Sequence, residues 1–81
     1  MIKYFIIEDA IGAEESEKEV NKSDFLDSLI YNLDEAAGFG DITTYQALEV
    51  FRKCYESINR MENIEAFTNG FIYRVEVVSN D

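Results

Sequence analysis

The middle of the chain contains two stretches in which apolar residues recur at spacings of three and four, as they do on one face of an amphipathic helix. The first stretch carries Phe25, Leu26, Leu29, Ile30, Leu33, Ala36 and Ala37. The second carries Ala47, Leu48, Phe51, Cys54, Tyr55, Ile58 and Met61. A helix of this kind must bury its apolar face against another element, so the two stretches predict a pair of helices over a shared core.

Local residues indicate where each helix begins and ends. Ser23 is predicted to be the N-cap of the first helix, because its hydroxyl can accept a hydrogen bond from a backbone N–H of the first turn. Gly38 or Gly40 is predicted to end that helix, since glycine readily adopts the left-handed conformation that closes many helices. Thr43 and Gln46 form a capping-box pattern, which predicts the start of the second helix.

Strand-type sequence flanks the two helical stretches. Ile2–Glu8 is rich in β-branched and aromatic residues, which favours a strand. Toward the other end, Asn69 and Gly70 separate two similar runs at 64–67 and 71–78, a strong β-hairpin pattern. An alternative continues the second helix through 64–67 and uses Gly70 as its cap, but the hairpin is favoured.

The resulting order of strand, helix, helix, strand, strand predicts an α+β fold. A small antiparallel sheet carries both helices on one face in this prediction, with the first and last strands as neighbours. The 81 residues, of which 47% are hydrophobic, suit one compact domain spanning 1–81. A chain this short hides only about 60 to 65% of its unfolded surface, which leaves little material for a deep substrate cleft. The acidic segment 9–22 is predicted to be a solvated loop with room for a turn of helix.

The chain is strongly acidic: 17 acidic and 7 basic residues give a formal net charge of −10. Such a field repels the phosphates of DNA and RNA and the anionic head groups of lipids. We therefore expect no direct binding to nucleic acid or to a membrane surface, and a basic protein as the partner. No apolar run approaches the length of a membrane span, and the lone Cys54 permits no internal disulfide. These features predict a cytoplasmic protein, in the host cytoplasm if a phage encodes it.

The negative charge is concentrated in the first half of the chain. Residues 1–41 contain eleven acids and three bases, a balance of −8, whereas residues 42–81 contain six acids and four bases, a balance of −2. Solubility alone needs no such asymmetry, but docking into a basic groove does, through steering and complementary potential. In the second helix, opposite charges spaced four apart are predicted to neutralise one another: Glu49 with Lys53, Arg52 with Glu56, and Glu56 with Arg60. The predicted partner-binding residues are Glu14, Glu15, Glu17, Glu19, Asp24, Asp27, Tyr31, Asp34 and Glu35.

Two aromatic residues near this charge each have two interpretations. Tyr31 interrupts the acids of the first helix, and it is either a binding hot spot or a cover for the edge of the core. Phe39 lies between two glycines, and it is either tucked into the core or exposed as an anchor. The sequence leaves both pairs of interpretations open.

No pattern of catalytic residues is visible in the sequence. Histidine, the commonest general base and metal ligand, is absent. Cys54 falls on the apolar stripe of the second helix, which favours a buried structural cysteine over a nucleophile. Adjacent carboxylates such as Asp34 and Glu35 diverge on a helix, so they do not converge on a metal ion. We therefore predict a non-enzymatic protein with no cofactor and no metal.

In length and acidity the chain resembles small acidic phage proteins that block host nucleases, including anti-CRISPR and anti-restriction proteins. The likeness lies in composition, without a shared motif. It implies a stoichiometric inhibitor that occupies the basic nucleic-acid channel of its target and performs no chemistry of its own. An immunity protein or antitoxin that neutralises a basic toxin is a second hypothesis. A homo-oligomeric accessory domain, such as a homodimer joined through its helices or a sheet edge, is a third.

Charge density limits the hypothesis that the chain imitates DNA. The stretch from Asp24 to Glu35 spans about 16 Å of helix at about 1.5 Å per residue, and it carries four carboxylates. Duplex DNA carries one charge per about 1.7 Å, or roughly nine or ten over that length. The six carboxylates between Glu8 and Glu19 bring the count close to that of DNA only if their segment lies alongside the helix. The hypothesis is therefore one of partial mimicry.

Overall fold

A computed structural model describes residues 1–8 and 16–79, which form an α+β fold of four strands and two helices. In chain order the elements are β1 (Ile2–Glu8), β2 (Ser16–Val20), α1 (Lys22–Gly38), α2 (Thr44–Asn59), β3 (Ile64–Thr68) and β4 (Phe71–Val77). All strand pairs are antiparallel and the strand order is β2-β1-β4-β3, so β1 and β4 are central neighbours. The predicted fold class and the pairing of the first and last strands are confirmed.

The β3–β4 hairpin forms at the predicted Asn-Gly pair. Asn69 and Gly70 have φ values of 52° and 80°, the two positive angles that a tight two-residue hairpin turn of the preferred handedness requires. Thr68 pairs with Phe71 directly across this turn. The alternative in which α2 continues through 64–67 is therefore wrong.

The strand β2 lies inside the acidic segment 9–22, which was expected to be a loop. Residues 16–20 form the outer strand next to β1, with Val20 opposite Tyr4 and Glu17 opposite Ile7. Because three of its five residues are charged, this stretch has low intrinsic strand preference, and backbone hydrogen bonds to β1 supply the order. Charged residues are common on such outer strands, where they discourage pairing with a further chain.

Both helices pack on one face of the sheet, as predicted, and the core lies between the two layers. Its fully or nearly buried members come from both helices and from β4: Phe25, Leu29, Leu33, Cys54, Ile58, Tyr73 and Val75. The Phe25 ring contacts the rings of Tyr4 and Tyr73, with centroids 5.4 and 5.6 Å away. Each such large apolar side chain contributes about 1.5–3 kcal/mol on burial, so one face of α1 is held firmly to the sheet.

The N-cap prediction is wrong for α1 and confirmed for α2. Asn21, not Ser23, caps α1, because its Oδ1 accepts a hydrogen bond of 2.8 Å from the backbone N–H of Asp24. Asparagine and serine are about equally good caps, so the end of β2 at Val20 decides which one is used. The capping box of α2 is confirmed: Gln46 N–H donates to Thr43 Oγ1 at 3.0 Å, and Thr43 N–H donates to Gln46 Oε1 at 2.9 Å.

Both helices end in the same reversed turn, but with different residues at its left-handed position. After α1 this position is Gly40, with φ of 80°, and Asp41 N–H donates back to Ala36 O at 3.0 Å. After α2 it is Met61, with φ of 55°, and Glu62 N–H donates to Ser57 O at 2.9 Å. Glycine adopts this conformation freely, whereas a residue with a Cβ atom is strained there. The end of α2 therefore stores strain that the end of α1 does not.

Candidate protein-docking surface

The outer side of α1 carries a cluster of carboxylates with one tyrosine among them. We call it the acidic face; its members are Asp24, Asp27, Tyr31, Asp34 and Glu35. Four of them are exposed, and Glu35 is half-buried. No lysine or arginine lies between positions 23 and 37, so Lys22, the first residue of α1, is the only basic residue of the helix. The five predicted site residues on α1 are thus brought together on one rigid surface.

Tyr31 projects from the middle of the acidic face into solvent. Its side chain is 62% exposed, so its role is not to cover the edge of the core. A hydrogen bond to Glu35 raises the pKa of the Tyr31 hydroxyl, and repulsion between the tyrosinate and the Glu35 carboxylate raises it further. The ring therefore stays neutral at physiological pH and offers a flat apolar surface with a polar edge, the character of many binding hot spots.

Glu35 differs from the other carboxylates because it is tied to the sheet. Asn69, in the hairpin turn, donates through Nδ2 to Glu35 Oε2 at 3.1 Å and to Asn32 Oδ1 at 2.9 Å. A carboxylate engaged in this way is less free to turn toward a partner than Asp27 or Asp34, for which the structure gives no ion pair among the described residues. Asp27 and Asp34 are therefore the most available charges of the acidic face.

Glu17 and Glu19, the predicted site residues of the acidic segment that the structure describes, do not join the acidic face. Val20 packs against the core, and because side chains alternate along a strand, Glu17 and Glu19 point to the opposite face of the sheet. There Glu17 pairs with Arg74, whose Nε also lies 3.0 Å from Glu76 Oε1. Glu14 and Glu15 lie outside the described residues.

An apolar groove adjoins the acidic face where α1 meets α2. It has a volume of 350 Å³ and is lined by Ile30, Asp34 and Ala37 of α1 and by Thr44, Leu48 and Phe51 of α2, among others. We call it the interhelical groove. Ile30 is 50% exposed and Leu48 is 63% exposed, although both were assigned to the core by periodicity.

Tyr55 and Met61 of the predicted apolar stripe are also more exposed than expected, and the position of Phe39 is now decided. Tyr55 stacks on Phe51 with ring centroids 6.1 Å apart, but its outer side faces solvent, and Met61 is likewise exposed. Phe39 is 75% exposed, which excludes the interpretation that it is tucked into the core. The helices therefore bury only part of their apolar stripes against the sheet, and of the exposed remainder Ile30 and Leu48 line the interhelical groove together with Asp34.

The outer surface of α2 is charged but internally neutralised. Arg52 bridges two acids of the same helix, with 2.9 Å from its Nη2 to Glu49 Oε2 and 3.2 Å from its Nη1 to Glu56 Oε1. Arg52 and Glu56 form the predicted pair, whereas Glu49 pairs with Arg52 at a spacing of three and not with Lys53 as predicted. The contrast in charge between the two helices, expected from the sequence, is therefore present on the folded surface.

The described residues offer little to a metal or a nucleophilic reaction. Within residues 1–8 and 16–79, no group of three or more Cys, Asp or Glu side chains is arranged to hold a metal ion. Cys54 is buried, and that burial raises the pKa of its thiol. Over the same part of the chain, no helix combines the length and the apolar character needed to cross a membrane.

Sequence reasoning missed a polar cluster beneath the acidic face. Asn32 is buried on α1 and donates through Nδ2 to the hydroxyl of Tyr73, a fully buried residue of β4. The Tyr73 hydroxyl in turn donates to Ser28 O at 3.2 Å and lies 2.9 Å from Ser28 Oγ. Asn32 is seven residues after Phe25 and three after Leu29, so its position on the apolar stripe was the available signal.

Comparisons with protein-family models, with curated proteins and with solved structures find no match for this chain. The functional argument therefore depends on the surface just described.

Proposed function

We propose that this chain is a non-enzymatic binding protein that docks its acidic face onto a basic protein and inhibits it. The proposed target is a nucleic-acid-handling protein, and the inhibitor occupies the positively charged groove through which the target binds nucleic acid. The observation that carries the proposal is the row of exposed carboxylates Asp24, Asp27 and Asp34 around exposed Tyr31 on one helix, without a basic residue on that helix between 23 and 37.

The rigidity of α1 supports this use of its outer side. Phe25, Leu29 and Leu33 anchor the inner side of the helix in the core. The acidic face therefore needs no further ordering when it meets a partner, and the entropy cost of binding falls. Steering by charges of one sign raises association rates by about 10 to 10³-fold, with a steep dependence on salt.

The arrangement supports partial rather than extended imitation of DNA. The acidic face offers four carboxylates over about 16 Å, compared with roughly nine or ten charges of duplex DNA over that length. Glu17 and Glu19, which were candidates to close this gap, point away from α1. We therefore propose that Tyr31 and the neighbouring apolar surface add contacts that DNA does not make.

The test begins by capturing the partner with the immobilised wild-type chain from a lysate of the source cell or its host. The recombinant partner is then used to compare wild type with Asp27→Lys/Asp34→Lys. Glu35 is left unchanged because its carboxylate accepts a hydrogen bond from the Asn69 side chain in the hairpin turn. The matched control is Glu49→Lys/Glu56→Lys, which shifts the net charge equally but alters α2.

We expect the α1 reversal to lower the association rate about tenfold or more, and the control to change it by less than about twofold. Salt raised from about 0.05 M to about 0.5 M should slow association of the wild type more than that of the α1 variant. Stoichiometric chain should also block nucleic-acid binding by the partner. Loss of binding in the control alone would move the docking surface to α2 and refute the proposal, and a captured toxin without nucleic-acid substrates would favour the immunity-protein hypothesis.

A further inference from the structure

The interhelical groove is an apolar feature of the described surface that the charge argument leaves unused. Its two walls, from Ile30 to Ala37 and from Thr44 to Phe51, each span seven residue steps, or about 10 Å of helix at 1.5 Å per residue. That length is two helical turns. It matches the anchors that an incoming helix presents at positions i, i+3 or i+4, and i+7.

The charges beside the groove discriminate between occupants. Asp27 and Asp34 lie three before and four after Ile30 on α1, so carboxylates flank the groove on that side, and Asp34 also lines it. On α2 the nearby cation Arg52 is already paired with Glu49 and Glu56. A second copy of this chain would bring its own net charge of −10 against the same carboxylates, which is unfavourable.

We infer that the interhelical groove receives a basic amphipathic helix of the partner protein. This inference rests on the proposed function and specifies how the partner is held: leucine-like side chains enter the groove beside Ile30 and Leu48, while lysine or arginine side chains on the flank of that helix meet Asp27 and Asp34. The exposed apolar area of Ile30 and Leu48 is covered in the complex. The acidic face steers the encounter, and the groove supplies the apolar contact that slows dissociation.

The probe is a fluorescein-labelled peptide of about 15 residues, with leucines at helical spacing on one side and lysines on the other. A control peptide has the same composition in an order that creates no apolar stripe. Fluorescence anisotropy measures both peptides against wild type and against Ile30→Gln/Leu48→Gln, which is uncharged, helix-compatible and confined to exposed positions. Phe67→Thr removes an exposed aromatic residue on β3 outside the groove and serves as the matched control.

We expect the scrambled peptide, and the Ile30→Gln/Leu48→Gln variant, to show about tenfold weaker binding, and Phe67→Thr to stay within about twofold. Backbone amide shifts in an NMR titration should change around Ile30, Leu48 and Phe51. Circular dichroism and urea unfolding establish that each variant is folded.

Two results would overturn the inference. The first is that the scrambled peptide binds wild type within twofold of the designed peptide, and the groove variant binds the designed peptide within twofold of wild type. If Asp27→Lys/Asp34→Lys still weakens binding of the recombinant partner, the groove is not the site but the acidic face stands. If that reversal has no effect either, the proposed function falls as well. A concentration-dependent dimer that Ile30→Gln/Leu48→Gln abolishes would assign the groove to a second copy of the chain and refute the basic helix.

Discussion

Asn69 Nδ2 lies 2.9 Å from Asn32 Oδ1, so the hairpin turn is hydrogen-bonded to the inner side of the helix that carries the acidic face. Asn32 continues the chain of hydrogen bonds to the buried hydroxyl of Tyr73. A buried polar network of this kind is stabilising only when its members are satisfied together. It fixes the rotation of α1 on the sheet, and with it the direction in which Asp27, Tyr31 and Asp34 point.

Asn32→Ala should lower the free energy of unfolding by about 1–3 kcal/mol, because it removes the side chain that donates to the buried Tyr73 hydroxyl and one of the two acceptors of Asn69 Nδ2. Tyr73→Phe should also destabilise the fold. The two together should cost less than the sum of the single changes, with a coupling of roughly 0.5–3 kcal/mol in urea unfolding. If the two losses of unfolding free energy were strictly additive, the hydrogen bond between Asn32 and Tyr73 would contribute nothing to stability.

Met61→Gly should stabilise the protein by roughly 0.5–1 kcal/mol, although glycine usually destabilises. The residue has φ of 55° just after α2, and its side chain is exposed, so relief of backbone strain costs little packing. The measurement is the midpoint of urea unfolding, which should rise while the slope of unfolding free energy against urea concentration stays unchanged. Gly40→Ala, at the equivalent position after α1, should show the opposite sign, and equal signs for the two changes would contradict the argument.

Cys54 should react slowly with a thiol reagent in the native protein. It is fully buried, and the loss of hydration raises the pKa of its thiol, so little reactive thiolate forms at pH 8. As the pH is raised, labelling of the unfolded chain should accelerate at a lower pH than labelling of the native protein, because burial raises the pKa of the native thiol. We expect labelling in denaturing urea to be faster by on the order of 10²-fold or more, since reaction in the native state requires local opening. Rapid native labelling would show that the core around α2 opens readily.

Glu35→Gln should lower the pKa of the Tyr31 hydroxyl toward its ordinary value of 10.0, because the carboxylate stabilises the protonated hydroxyl and repels the tyrosinate. The side-chain NMR signal of Tyr31, followed during a titration in base, separates this residue from the other four tyrosines. Glu49→Gln, on α2, is the control and should leave Tyr31 unchanged. An unaltered Tyr31 titration in Glu35→Gln would exclude the interaction.

The purified chain should bind neither DNA nor RNA at physiological salt, because its net charge of −10 opposes the phosphate backbone. Fluorescence anisotropy with labelled single-stranded and double-stranded oligonucleotides tests this. An affinity in the micromolar range would overturn the electrostatic argument and, with it, the assignment of the target to proteins.

Local chemistry in the sequence determined the elements that depend on a few adjacent residues. The capping box at Thr43 and Gln46, the turn at Asn69 and Gly70 and the helical period of the core residues all act within one or two turns of chain. They predicted the α+β order and the contrast in charge between the helices. Residue type and spacing were sufficient there because the same physics operates in a short peptide.

Tertiary packing alone decided which apolar and acidic residues share a surface. Periodicity places Ile30 and Leu48 on the apolar stripes, but in the folded chain both line the interhelical groove and remain exposed. Ser16–Val20 becomes a strand only because β1 offers it hydrogen-bonding partners, and its pairing register sends Glu17 to Arg74 rather than to α1. Such outcomes depend on neighbours distant in sequence, whose positions exist only once the chain has folded.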